Sequence, residues 1–360
     1  MDPVLSPINR IQVTELLDTR LPWLMLADDP NDITGRHSFF SLDDNNVYEI
    51  VLPEAKWKRC VGSTDGWLIT VDTNLEISML NPFSRIQIPL PRHPTFESWY
   101  LVGKPSQEHV RTHYIHKAFL SSPPSFSSNS CVALAILNEK RGLAFGRPGR
   151  STIDWTPIQT YDMIEFQDAV FYKGRFYAVT RRSQLVVCNL SPVPKVLEIC
   201  RGPKSLLLQC WSKYVVNLRD TLLLVGRHRE ADNGYYRTVD FKAYVLVPSG
   251  IEGGDEGEEF RLKWKRVTNL RSLAVFIGGN TSMCVHADDI PGCQRNSIYF
   301  TDDYVGTKSI YCGGPGSDMG VYNYEDGTIE EIYPGTSRSR LWPPIWVIPY
   351  QDLYEQSRNS

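Results

Sequence analysis

Two histidines three residues apart, His113-Tyr-Ile-His116, and a histidine ahead of two acids, His286-Ala-Asp-Asp289, have spacings that could do chemistry. The first resembles a pair of metal ligands. It lacks the glutamate and the helical context that would put both imidazoles of a metallohydrolase on one face. The second could set a base beside carboxylates, yet Asp288-Asp-Ile-Pro-Gly292 has the composition of a turn. No Gly-x-Ser-x-Gly elbow presents a nucleophilic serine. Gly306-Thr-Lys-Ser309 and the glycine cluster Gly313-Gly-Pro-Gly316 carry fragments of a phosphate cradle, without the earlier glycine or the following helix that would aim amides at an anion. They read as loop. Asp302-Asp303 could supply one acid for glycoside hydrolysis, but that reaction needs a second carboxyl across a pocket. The residues therefore assign no catalytic, cofactor-binding or metal-ligating position, and neither an enzyme nor a cofactor is expected.

Composition narrows the classes further. The chain holds 38 Lys and Arg against 41 Asp and Glu, a net charge of −3. A nucleic-acid surface needs a concentrated basic face, so none is expected. The local run Arg261-Leu-Lys-Trp-Lys-Arg266 alternates basic and apolar residues and reads as the wet side of a strand. Eight cysteines, at positions 60, 131, 188, 200, 210, 284, 293 and 312, form no Cys-x-x-Cys pair. Several lie inside apolar runs, where cysteine acts as a small hydrophobe. Met1–Arg20 has no signal-peptide core, and no apolar run approaches the roughly 20 residues that span a bilayer. A reduced protein of the cytoplasm or nucleus, with no membrane partner, is the expectation.

The elements that would position any site are short strands. Ile8–Leu17 reads as the one short helix. Beyond it, runs of Val, Ile, Leu, Phe, Tyr and Trp alternate with Gly, Asn, Asp, Pro and Ser. They group into units of about 35 to 60 residues, a period suited to propeller blades: Arg36–Leu52, Arg59–Leu90, Ile115–Ile158, Asp168–Ile199, Ser205–Leu270 and Leu273–Tyr333. The last contains Asn296–Asp303 and the hairpin Gly320–Tyr333, where Asp326-Gly327 predicts a type I′ turn. Such a repeat predicts an all-β fold, a single β-propeller of six or seven four-stranded blades. A lone four-stranded sheet cannot bury both faces, and a ring of them can. The C-terminal strand Ile345–Ile348, flanked by prolines, is expected to close the ring by completing the blade of Leu24–Leu26 and Ser38–Leu42. Ser121–Ser128 and the acidic Gly250–Glu259 read as surface loops. The propeller is expected over 21–350, with a lead-in at 1–20 and a tail at 351–360.

Several segments carry a resemblance: Leu21-Pro-Trp-Leu-Met-Leu26, Cys60-Val-Gly-Ser-Thr-Asp-Gly-Trp-Leu68, Leu80-Asn-Pro-Phe83, Gly278-Gly-Asn280, Pro291-Gly-Cys293 leading into Asn296–Asp303, Met319-Gly-Val-Tyr322 and the Trp342–Pro349 tail. In these residues and their order the chain resembles the plant KIB-type β-propeller proteins, which usually carry an F-box. The resemblance implies a propeller, a plant source and a non-enzymatic, protein-binding role as substrate receptor of an SCF ubiquitin ligase. It also implies partners: a Skp adaptor held by the F-box, and a target such as a shaggy-like protein kinase. Met1–Arg20 is too short for a complete F-box, so the reading expects no Skp engagement by this stretch. Ile11–Leu17 is either a remnant of it or an unrelated lead-in.

Two functions remain open at this point. One is an interaction module, the other a propeller enzyme or small-ligand binder using the central channel. Convergent acids and histidines at a channel mouth would favour the second. A mouth of ordinary polar residues with Arg or aromatic side chains on its rim would favour the first. The partner-binding residues are not identified. Trp99-Tyr100 and Tyr235-Tyr236 are candidate contacts, with packing between blades as the competing reading.

Overall fold

The computed structural model describes residues 21–27, 34–92, 106–124, 131–137, 141–149, 154–161, 164–209, 212–232, 235–249, 262–303, 318–333, 337 and 343–349. These build six sheets arranged as a six-bladed β-propeller. The first blade holds β1 (Trp23–Met25), β2 (Arg36–Phe40) and β3 (Val47–Val51). The second runs through β4 (Arg59–Thr64), β5 (Trp67–Val71), β6 (Ile77–Leu80) and β7 (Gln87–Pro89). A short helix α1 (Gln107–His113) leads into the third blade, β8 (Ile115–Leu120), β9 (Ala133–Leu137), β10 (Gly142–Gly146) and β11 (Thr156–Pro157). The fourth is β12 (Phe166–Tyr172), β13 (Arg175–Thr180), β14 (Leu185–Asn189) and β15 (Lys195–Cys200). After α2 (Lys204–Gln209) comes the fifth, β16 (Ser212–Asn217), β17 (Leu222–Asp232), β18 (Tyr235–Pro248) and β19 (Leu262–Val267).

The sixth sheet departs from the expected four-stranded plan. It contains β20 (Leu273–Ile277), β21 (Met283–His286), β22 (Ser297–Phe300), β23 (Gly320–Asn323) and β24 (Ile329–Glu330), in the order β21-β20-β22-β23-β24. β20 and β22 pair in parallel, Val275 opposite Ile298 and Phe276 opposite Tyr299. The chain turns back after β20, lays β21 along the hub side, and must cross over before β22.

The C-terminal strand β25 (Ile345–Val347) pairs antiparallel with β1, Leu24 opposite Trp346, and so completes the first blade as expected. Alternation does the packing, because successive strand side chains point to opposite faces. Trp346 and Leu24 join Phe276 and Tyr299 of the sixth blade, whereas Ile345, Val347 and Trp23 join Leu68 and Phe83 of the second. Trp346 meets the Phe276 ring edge-on at 5.1 Å, and Phe276 stacks on Tyr299 at 4.5 Å. The described residues form six buried clusters, one between each pair of neighbouring blades.

Turn chemistry follows local sequence with one correction. Asp65-Gly66 and Lys173-Gly174 each have φ > 0 at both positions, the type I′ geometry of two-residue hairpins. At Asp326-Gly327 only Gly327 has positive φ. The loop there is longer: Asn323 and Thr328 form its closing pair, and Gly327 N donates to Asn323 O. The Asp326 carboxylate takes both the amide and hydroxyl of Thr328, a local competitor to the two-residue turn. Ile8–Leu17, Gly250–Glu259 and the second half of Ser121–Ser128 lie outside the described residues.

Because Trp346 is fully buried in the seam that closes the ring, Trp346→Ala is expected to cost about 3–5 kcal/mol. Urea unfolding of the purified chain measures this.

Candidate functional site

The inner strands make a hub. β25 packs on β4, β4 on β8, β8 on β12, β12 on β16, and β16 on β21. Their sequences are mostly apolar, but two carry a charge in mid-run: Lys117 in β8 and Asp168 in β12. Both side chains are buried and meet, Lys117 Nζ to Asp168 Oδ1 at 2.7 Å. Lys117 also donates to Gly278 O at 2.8 Å. The second carboxylate oxygen of Asp168 accepts from Ser282 Oγ at 2.7 Å and Val215 N at 2.9 Å. Burial raises the Asp168 carboxyl above its ordinary range, against the pull of Lys117 and the two other donors.

The segment Gly278–Ser282 reaches into the hub to complete this network. Thr281 N donates to Ser63 O at 2.7 Å, and the hydroxyls of Thr281 and Thr64 lie 2.6 Å apart. Gly278 has φ +149°, and a Cβ there would lie 1.9 Å from Thr301 Oγ1. The backbone approaches that closely because the residue has no side chain.

At the end of the channel where β4, β8 and β16 finish, a cavity of about 790 Å³ opens between the blades. Thr64, Asp65, Asn217, Arg219, Arg271 and His286 are among its lining residues. His286 is exposed, with Ser272 Oγ at 3.4 Å from its Nδ1. The rim is thus of mixed polarity, with arginines.

The opposite end carries a denser charge cluster. β17 and β18 run on past their neighbours, since β16 pairs only as far as Arg227 and β19 only from Ala243. At the root of this ribbon Arg227 and Arg229 turn inward, both fully buried. Arg227 bonds Asp318 Oδ2 at 2.9 Å, Thr238 Oγ1 at 2.7 Å and Thr301 O at 2.7 Å. Arg229 bonds Asp303 Oδ1 at 2.7 Å, Asp318 Oδ2 at 3.0 Å and Ser212 Oγ at 2.7 Å. Tyr214 donates to Asp303 Oδ2 at 2.8 Å, and the Arg227 guanidinium lies over the Phe300 ring. Against a burial penalty, Arg229 and Arg227 hold the Asp303 carboxyl down to about 2. The same two cations depress Asp318.

The sequence candidates are not assembled into a reactive set. His113 ends α1, where it stacks on His109 and contacts Thr112 Oγ1, while His116 lies on β8. No group of three His, Cys, Asp or Glu among the described residues could hold a metal. Ala287–Asp289 forms a 3-10 turn, as the turn reading of that stretch expects. Lys263, Lys265 and Arg266 are exposed on β19, with Trp264 between them half-buried. Cys60, Cys131, Cys188 and Cys200 are buried thiols outside any disulfide, and burial pushes the Cys188 thiol up to about 12. Gly306–Ser309, Gly313–Gly316 and Trp99-Tyr100 lie outside the described residues; Tyr236 is half-buried on β18.

The model of the KIB1-4 beta-propeller family matches residues 39–323. The chain belongs to this family. Its similar proteins include F-box protein SKIP23 of Arabidopsis thaliana, 26% identical over 328 residues that cover 80% of this chain and 75% of the relative. Another is the putative F-box protein At5g55150 of the same plant, 27% identical over 295 residues, 80% of this chain and 73% of the relative. The motif residues that carry the family resemblance have structural work here: Gly278 and Thr301 meet at the hub, and Asp303 anchors the ribbon. Sequence reading missed Lys117, Asp168, Arg227, Arg229 and Asp318. For Lys117 and Asp168 a signal was available, a charge in an otherwise mostly apolar strand.

Removing one member of a buried ion pair strands the other, so Lys117→Met is expected to cost about 3–5 kcal/mol, and Lys117→Met with Asp168→Asn less than that. Urea unfolding of the single and double variants checks the order. For Asp303, a folded-state value near 2 lies below the ordinary 3.8. Its contribution, about 2 kcal/mol, is therefore present above pH 4 and lost as pH falls towards 2. Asp303→Asn should flatten that limb of the stability–pH curve, measured by urea titration between pH 7 and 2.5.

Proposed function

We propose that this chain is a non-enzymatic protein-interaction module, the target-holding part of an F-box-type receptor. The carrying observation is that three acids around the channel, Asp168, Asp303 and Asp318, are held in ion pairs with Lys117, Arg227 or Arg229. A general acid or base needs a carboxyl free to exchange its proton, whereas Arg-paired carboxylates serve to fix elements in place. The long ribbon they anchor and the arginine-bearing rim of the cavity are the kind of surface that recognises another macromolecule. The relatives are named as F-box proteins, which supports the same role here. A Skp adaptor and a shaggy-like kinase are the partners that the family resemblance offers for test, in the cytoplasm or nucleus. No helix among the described residues is long and apolar enough to cross a membrane.

The cavity favours a second reading, a small-ligand binder. At about 790 Å³ it is large enough for a metabolite.

Affinity purification of the tagged chain from plant cells, followed by mass spectrometry of proteins and of small molecules, separates the two. A discrete protein partner at near-stoichiometric yield is expected. A bound metabolite with no stoichiometric protein would replace the first reading by the second.

A further inference from the structure

The turn that joins the first two strands of the second blade carries an acid into the channel mouth. Thr64 pairs with Trp67, leaving Asp65 and Gly66 as a two-residue loop with φ +46° and +81°. Aspartate suits the first of these positions, so the turn holds it without strain. Where the side chain ends up is decided by the neighbouring blades. Thr64 Oγ1 accepts from Leu120 N at 3.2 Å and lies 2.6 Å from Thr281 Oγ1. Thr281 N donates to Ser63 O at 2.7 Å. The base of the turn is thereby tied to the third and sixth blades, and Asp65 is fixed in the wall of the cavity of about 790 Å³.

Asp65 differs from the paired acids around the channel. Asp168, Asp303 and Asp318 each meet a lysine or an arginine. Among the described residues no hydrogen bond or ion pair reaches the Asp65 carboxylate. It is open to the solvent of the channel mouth. The protein around it still depletes that solvent enough to raise the carboxyl above its ordinary range, and no charge among the described residues offsets the rise. Such a carboxylate has lost part of its hydration and gained no cation in exchange, which is where a charged ligand gains most.

The cavity as a whole carries both signs: Asp65, Asp220 and Asp289 line it, and so do Arg219, Arg271 and His286. Its total charge therefore does not decide what it takes, and the surroundings of Asp65 do. Arg219 acts on the Cys284 thiol, not on Asp65. Next to Asp65 stand the paired hydroxyls of Thr64 and Thr281, which offer further acceptor lone pairs. Half-buried Leu218, Met283 and Ile348 give the same cavity an apolar wall.

We propose that this cavity is a binding site for a protonated amine or guanidinium on a short apolar stem, with Asp65 as its counter-ion. The N–H groups reach the carboxylate and the threonine hydroxyls, and the stem lies along the apolar wall. An anionic ligand would be set against an unpaired carboxylate. Two sources carry the cationic group, a lysine or arginine side chain of a partner protein and a free metabolite. In the first case the site rests on the interaction reading above, in the second on the small-ligand reading.

Asp65→Asn removes the charge and keeps a residue that suits the turn. Because nothing pairs the charge it removes, the variant is expected to melt at the parent's temperature or above it. A lower melting temperature would place the carboxylate in an internal pair and overturn the site. Ligand-observed NMR titrations at pH 7 with pentylammonium, pentanol and pentanoate measure the preference. The parent chain should bind pentylammonium about tenfold more tightly than pentanol, and pentanoate more weakly than either. Asp65→Asn should abolish that tenfold preference and leave pentanol binding unchanged. Equal binding of pentanoate and pentylammonium by the parent, or undiminished pentylammonium binding by Asp65→Asn, would sink the idea. A capped tripeptide with lysine between two alanines, together with affinity capture from plant cells, separates the sources. A partner's side chain is the occupant if the tripeptide binds at least as well as pentylammonium and Asp65→Asn loses the protein partner. A free amine is the occupant if pentylammonium binds, the tripeptide does not, and Asp65→Asn recovers the same partner in equal yield. Capture of a partner by a parent chain that shows no preference for the amine would remove this site and leave the interaction reading standing.

Discussion

Everything in this molecule depends on each small sheet burying both of its faces. A strand presents alternate residues to opposite sides, so a blade with apolar residues on both sides is stable only with a neighbour against each. The six interblade clusters are that requirement met around a ring. The ring has one seam made of distant chain segments, where β25 completes the blade begun by β1. Trp346 and Ile345, adjacent in sequence, serve different interfaces there. One short strand therefore ties the sixth blade to the first and the first to the second.

Inside this apolar ring Asp168 and Asp318 are held in ion pairs. Lys117 and Asp168 sit where the third, fourth, fifth and sixth blades converge, and their bonds reach Val215, Gly278 and Ser282. An ion pair of this kind is weak evidence for net stability, because desolvation offsets much of the attraction. Its geometry is specific, however, and it admits one arrangement of the inner strands. The Arg227, Arg229, Asp303 and Asp318 cluster does the same for the protruding ribbon.

How much of this was legible depended on how local each cause is. The six units were readable because alternation, β-branched residues and Gly-containing turns act within a few residues; Lys173-Gly174 is a clear case. The parallel pairing of β20 with β22 was not, since it depends on Gly278–Ser282 being drawn into the hub by Lys117, Ser63 and Thr64. The Asp326-Gly327 turn was half legible. Its hairpin was right, but the Asp326 carboxylate chose Thr328 over the two-residue geometry. The histidine groupings drew attention by spacing alone, and the fold assigned His113 to a helix end and His116 to a strand.

By itself the sequence determined the class of fold, the blade boundaries, the closing strand and the family, because strand periodicity, turn residues and motif order are written along the chain. Tertiary structure alone decided which charges meet. Lys117 and Asp168, or Arg229 and Asp303, are far apart along the chain, and no local feature says which charge will meet which. It also decided that Trp57, one tryptophan among nine, stands 49% exposed at φ +60°, a conformation that favours glycine. A side chain's exposure is set by which neighbours remain to cover it once every blade has found its two faces.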